Sequence, residues 1–273
     1  MPDGRMCYRM FNNLAEAYEM LIDRVGELSP DQRIIIAYDG MSLDQAAAMH
    51  AGFNTAGFHP IAKANSLATR PGLDAVMARF ATLGSNVMFD PKHHDTDETM
   101  FHYISTDVAA EPVPPLMVTL HASNGMSALT EAVRARNERV GKNTDVLNLL
   151  GITVLTSLDN DDVTSIFGGG ATAESKFVEF AHRARSAGLQ GLVSSGRELV
   201  KGYEFGELDR LLRVIPGIKL PNTADTTGQK RLYTPDRAID EGAHFVVIGR
   251  AITGAAEPVA ALEQAVRLIE RAT

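Results

Sequence analysis

Four ionisable side chains stand at the ends of successive apolar runs. Asp39 follows Arg33-Ile34-Ile35-Ile36-Ala37-Tyr38, Lys63 follows residues 57–62, and the run 86–89 leads into Asp90-Pro91-Lys92-His93-His94-Asp95. Carboxylates alternating with ammonium groups suit a site that holds a polar substrate and sets a proton donor beside a developing negative charge. Residues two apart on an extended segment point the same way, so Asp90 and Lys92 are expected to share one face. Taken singly, each charge reads as a solvated loop residue, the usual place of Asp and Lys. Four of them at consecutive run ends read as one cleft.

His93-His94-Asp95 raises the question of a metal. Neighbours on an extended segment face opposite sides, which makes the two histidines poor joint ligands, so no metal is expected. Phe167-Gly168-Gly169-Gly170 has no GK[ST] and precedes a helical stretch, so it reads as a flexible loop rather than a phosphate cradle. Val247-Ile248-Gly249-Arg250 is a stronger anion candidate, because Gly249 permits close backbone approach and Arg250 offers a bidentate fork. The same four residues read equally as a surface arginine after a turn glycine.

These residues need a scaffold that places strand ends together. Apolar runs at 33–38, 57–62, 86–89, 116–120, 152–156, 191–193, 213–215 and 244–248 alternate with amphipathic stretches at 74–83, 127–139, 173–187 and 235–241. Such alternation implies a parallel sheet, and eight repeats favour closure into a (β/α)₈ TIM barrel; the anion candidate Gly249-Arg250 after the eighth run makes a barrel of the phosphate-binding type the expectation. A leading helix over 14–28 is expected to cap the barrel bottom, and a helix over 259–272 to end the last unit. No linker-like tract interrupts the chain, so residues 1–273 are expected to form a single barrel domain.

The bulk composition is consistent with this. Of 273 residues, 45% are hydrophobic and 22% charged, enough to bury a large core and too apolar for a disordered chain. A formal net charge of −8 argues against broad nucleic-acid binding. The single cysteine, Cys7, leaves no intrachain disulfide framework and fits a reducing compartment. No apolar run reaches about 18 residues, and MPDGRMCYRMFNN lacks the apolar stretch of a signal peptide, so a cytoplasmic protein without a membrane span is expected.

The ordered motifs resemble the orotidine 5′-phosphate decarboxylase family in its bacterial style. The resemblance runs from Ile34 to Pro258 through IIIAYDG, DPKHHD (the D-x-K-x-x-D signature), VTLHASNG, LLGITVLTSL, GLQGLVSSGRE, VIPGIK, GQKRLYTPDRAIDEGAHFVVIGRAIT and AAEPVAAL. It implies conversion of orotidine 5′-phosphate (OMP) to UMP and CO₂ in de novo pyrimidine biosynthesis, with no cofactor, by a homodimer with shared active sites. On this resemblance Asp39 and Lys63 hold the ribose hydroxyls, and Asp90 and Lys92 flank the scissile carboxylate, with Lys63 in the same charged network. Asp95 and Thr99 reach into the partner's site, and Ser157 touches the pyrimidine. Pro216, Gln229, Gly249 and Arg250 surround the phosphate under a loop at 218–228.

D-x-K-x-x-D is shared with metal-dependent sugar-phosphate decarboxylases and aldolases of the same barrel group, which form one alternative. A catalytically silent nucleotide-binding paralogue forms another. The chain departs from the pattern at Asp95-Thr96-Asp97-Glu98-Thr99, where the family continues D-I-P-N-T, and at Asn65, where a glycine is expected. Asp97 and Glu98 would repel a dianionic substrate if they faced the cleft.

Overall fold

The computed structural model describes residues 21–69, 71–140, 147–208, 210–221 and 233–272. Eight parallel strands close into a barrel in sequence order: β1 (Ile34–Ala37), β2 (Ile61–Ala64), β3 (Val87–His93), β4 (Met117–His121), β5 (Asn148–Ile152), β6 (Gly191–Val193), β7 (Leu212–Ile215) and β8 (Phe245–Ile248). β1 closes the ring by pairing with β8, Ile35 opposite Val247.

Strand alternation sorts the side chains into two buried sets. Ile35, Ile61, Met88, Met117, Leu150, Leu212 and Phe245 fill the barrel interior, while Ile34, Ile36, Ala62, Val118, Leu149 and Val246 pack outward beneath the helices. The described part of the leading segment is a helical turn, Leu21–Arg24, and a 3₁₀ turn, Val25–Glu27; residues 14–20 lie outside the described residues. Leu21 and Val25 join the interior cluster, so this segment plugs the barrel. Among the described residues no helix is long and apolar enough to cross a membrane.

Two strands sit elsewhere than the sequence suggests. β2 starts at Ile61 rather than at residue 57, because residues 57 and 58 finish the preceding helix, Leu43–Thr55. Gly57, at φ +87, takes the left-handed position of a Schellman cap, with Gly57 N–H donating to Asn54 O and Phe58 N–H to Phe53 O. β2 runs on to Ala64, so Lys63 lies inside it instead of after it. β5 spans Asn148–Ile152 rather than 152–156, although Ile152-Thr153-Val154-Leu155-Thr156 is richer in β-branched residues. Pairing with β4 fixes this register, Met117 opposite Asn148 through His121 opposite Ile152. Gly151 is the residue that allows it: a Cβ there would come within 3.2 Å of Ala184 Cβ and 3.3 Å of Ala122 Cβ. Close packing outranks β propensity.

Similar crowding surrounds Gly191 on β6, where an added Cβ would lie 2.6 Å from Leu212 Cβ and 2.8 Å from the Leu212 carbonyl oxygen. The β7 backbone cannot yield without breaking the β6–β7 ladder. Gly191→Ala is expected to lower unfolding free energy by about 1–3 kcal/mol. Urea denaturation with an unchanged slope measures it, and a midpoint equal to wild type would contradict this account.

Candidate active site

The inward alternation of β1 to β4 reaches the C-terminal end of the barrel with Asp39, Lys63, Asp90 and Thr119. Lys63 Nζ donates to Asp39 Oδ1 at 3.0 Å, to Asp39 Oδ2 at 3.2 Å and to Asp90 Oδ2 at 3.0 Å. Lys92 Nζ donates to the same Asp90 Oδ2 at 2.6 Å, and Thr119 Oγ1 donates to Asp90 Oδ1 at 2.8 Å. The four charges expected in one cleft form one continuous chain.

Asp90 and Lys92 meet, but not through plain extended alternation. Between Phe89, opposite Val118, and His93, opposite Leu120, β3 carries two residues more than β4. Lys92 lies in this bulge at φ +57, a left-handed conformation that costs a non-glycine residue about 1–2 kcal/mol. Its N–H donates to Thr119 Oγ1 at 3.1 Å, so one hydroxyl holds both the strained backbone and the Asp90 carboxylate. Thr119 was visible only as part of the VTLHASNG block; its inward position follows from counting two residues along β4 from Met117.

Burial would push the Asp90 carboxyl upward; the Lys63 and Lys92 charges and the hydrogen bonds from Lys92 and Thr119 more than cancel that, leaving it below the ordinary carboxylate value. Removing a carboxylate from water costs several kcal/mol. One ammonium group at about 4 Å returns roughly 4 kcal/mol at an effective dielectric near 20. A single lysine would about break even, and the second one keeps Asp90 ionised.

A cavity of about 310 Å³ opens beside this chain. Asp39, Lys63, Asp90 and Lys92 form its charged side, and Val154, Leu155, Pro216, Ile218 and Val247 its apolar side. The volume falls at the lower end of the range for small-molecule sites, and the pairing of an apolar wall with a few convergent polar groups is typical of them. Pro216 and Gly249 line it as expected; Arg250, exposed, begins the short Arg250–Thr253 helix one residue beyond. Ser157 is exposed and lies one residue past the lining residue Thr156. Gln229 and residues 222–228 of the expected loop lie outside the described residues.

Asp95 and Thr99 are not among the residues lining this chain's own cavity. Asp95 is exposed, accepting from Thr96 N–H at 2.8 Å and from Tyr103 OH at 3.4 Å, and Thr99 Oγ1 accepts from Thr96 Oγ1 at 3.1 Å. The altered DTDET segment has a local reason. Thr96 is the N-cap of helix Asp97–Val108, and Asp97 and Glu98 occupy its first turn, where acidic side chains favour the helix dipole. Both are exposed, and neither lines the cavity.

The two histidines part as expected. His93 Nε2 pairs with Asp107 Oδ2 at 2.8 Å, whereas the exposed His94 meets the His121 ring edge-on at 5.7 Å. Among the described residues no group of three or more His, Cys, Asp or Glu side chains is placed to hold a metal ion. Asn124, which sequence reasoning passed over, is buried and ties the loops after β3 and β4. Its Nδ2 donates to His93 O and His121 O, and its Oδ1 accepts from Asp95 N–H.

The family model described as "Orotidine 5'-phosphate decarboxylase / HUMPS family" matches residues 33–265. The chain belongs to this family. A relative from Gluconobacter oxydans (strain 621H), named orotidine 5'-phosphate decarboxylase, is 35% identical over 191 residues, 70% of this chain and 77% of its own length. Another of that name, from Nitrosococcus oceani, is 33% identical over 235 residues, 84% of this chain and 94% of its own length. In fold, the chain is similar to the crystal structure of orotidine 5'-phosphate decarboxylase from Lactobacillus acidophilus, with a TM-score of 0.71, 22% identity, and coverage of 89% of this chain and 99% of that one. That solved structure shares the barrel fold which, in this chain, presents Asp39, Lys63, Asp90 and Lys92.

Because Asp90 is depressed, its contribution to stability is complete above the ordinary carboxylate value near 3.8 and is lost as pH falls through its lower folded value. Thr119→Val removes one bond that depresses it and leaves the Lys92 N–H without its acceptor. The variant is expected to lose about 1–3 kcal/mol at neutral pH, and to lose less further stability than wild type as pH drops below about 4. Urea unfolding across that range would refute the role of Thr119 if the two proteins gave parallel curves with no offset.

Proposed function

We propose that this chain decarboxylates orotidine 5′-phosphate to UMP and CO₂, with Lys92 as proton donor to C6. The observation that carries the assignment is Lys92 Nζ held 2.6 Å from the buried Asp90 carboxylate at the cavity wall. Breaking the C6–CO₂ bond leaves its electron pair on a carbon with no adjacent electron sink. The Lys92 ammonium would stabilise that pair electrostatically and then deliver a proton to it, regaining one from water afterwards.

Asp90 plays the opposing part. Its negative charge stands where the substrate carboxylate must sit, so the bound substrate is repelled and the repulsion is relieved as neutral CO₂ forms. Lys92 alone does not suffice: a charge pair at about 4 Å is worth roughly 4 kcal/mol, against up to about 23 kcal/mol that enzymes supply in accelerating slow reactions. The remainder would come from binding the rest of the nucleotide. Asp39 and Lys63 would take the ribose hydroxyls, Ser157 the pyrimidine, and Pro216, Gln229, Gly249 and Arg250 the phosphate. We further propose a single barrel domain, acting in the cytoplasm as a homodimer in which Asp95 and Thr99 complete the partner's cavity. The exposure of Asp95 and the half-buried position of Thr99, both away from their own cavity, support that sharing.

Lys92→Ala is expected to lower kcat by at least about a thousandfold with an unchanged far-ultraviolet spectrum, beyond the roughly 10²–10⁴ range of one lost acid or base only if its charge also matters. The OMP absorbance decay, followed with and without EDTA, tests this; near-normal turnover would end the mechanism, and a chelator-sensitive rate would favour the metal-dependent relatives.

Mixing Lys92→Ala with Asp95→Ala subunits pairs one intact composite site with one doubly defective site. Partial recovery of activity is expected on mixing. Mixtures no more active than either parent, with subunit exchange verified, would refute the shared site.

A further inference from the structure

Ladder pairing around the charged chain stops just short of its carboxylates. The β1–β2 register ends at Ala37 opposite Lys63, and the β2–β3 register at Ala64 opposite Phe89. Asp39 and Asp90 lie beyond these ends, and Asp39 is 58% exposed at its side chain. Thr119 of β4 holds the Asp90 side chain, so what remains to be fixed is the backbone that carries each carboxylate beside Lys63 Nζ.

The two residues that follow β2 do this in opposite directions. Asn65 Nδ2 donates to the main-chain carbonyl of Asp90 at 2.8 Å. Ser66 Oγ accepts from the N–H of Gly40, the residue after Asp39, at 3.1 Å. The loop carrying Lys63 thereby grips the backbone on both flanks, each grip next to one of the carboxylates that Lys63 bridges.

We propose that Asn65 and Ser66 are positioning residues that set the two carboxylates around Lys63, Asn65 for the reacting end and Ser66 for the ribose end of the site. The division of labour rests on the decarboxylase reading. Asn65 acts through Asp90, which faces the bond that breaks, so its loss falls on the chemical step. Ser66 acts through the Asp39–Gly40 turn, so its loss falls on substrate binding. A hydroxyl or an amide that merely supported the loop would change stability without separating the two kinetic parameters.

The test compares wild type with Asn65→Ala, Ser66→Ala and Ser66→Thr. Asn65→Ala is expected to lower kcat about tenfold with little change in KM, the scale of one hydrogen bond. Ser66→Ala is expected to raise KM about tenfold with kcat retained, and Ser66→Thr to restore it. Without substrate, carbon-13 NMR of the labelled Asp90 carboxyl, assigned with Asp90→Asn, is expected to show a higher titration midpoint in Asn65→Ala, because the carboxylate drifts from its lysines, and a wild-type midpoint in Ser66→Ala. Wild-type kinetics with an unmoved Asp90 titration in Asn65→Ala, or KM and kcat changing together in both variants, would overturn the proposal. Should wild type leave OMP untouched, the decarboxylase reading alone fails, and the Asp90 titration then decides the positioning role.

Discussion

A carboxylate withdrawn from water between two ammonium groups organises this molecule. Asp90 is tolerated as an anion because Lys63 and Lys92 converge on one of its oxygens while Thr119 donates to the other. Remove either lysine and the attraction no longer exceeds the desolvation cost; remove Asp90 and two like charges face each other at the barrel mouth. The bulge in β3 and the left-handed Lys92 set this geometry, with the Lys92 N–H anchored on Thr119 Oγ1. Strain stored at such a position is sustained by the surrounding barrel, whose closed ladder leaves β3 and β4 little freedom to relax.

Under the proposed function, the same arrangement would let a cavity with charges on one side and apolar residues on the other discriminate between a starting carboxylate and a departing neutral molecule. On the proposed mechanism the anionic wall would oppose the first and be indifferent to the second, while the ammonium beside it would favour the electron pair left behind. The charges stand already paired with one another in this structure, which is the preorganisation such a contrast calls for.

Much of the barrel was legible in the sequence, since eight apolar runs separated by amphipathic stretches admit few other arrangements. The errors fell where a local signal was outweighed. Residues 57–60 look like strand, yet Gly57 belongs to a helix cap; residues 153–156 are strong β formers, yet Gly151 is the residue that fits beneath the helix carrying Ala184. The four charges could be read from their positions after apolar runs. Thr119, Asn65 and Asn124 could not, because nothing about an isolated neutral polar residue announces which carbonyl or carboxylate it will meet. The acidic Asp97-Glu98 pair looked like a threat to an anionic ligand and is instead a helix start. Reading it correctly required seeing Thr96 as a cap.

Much of the site is drawn from opposite ends of the chain, with Val154 and Leu155 after β5 adding to its apolar side. All four charged groups belong to β1–β3 and the turns that follow, whereas Pro216, Ile218, Val247 and Gly249, on the facing wall, come with β7 and β8. The seam where Ile35 meets Val247 is what brings the two together. In a growing polypeptide, then, Asp39, Lys63, Asp90 and Lys92 are all made long before the strand that closes the ring, and the cavity they line can form only once β8 docks against β1.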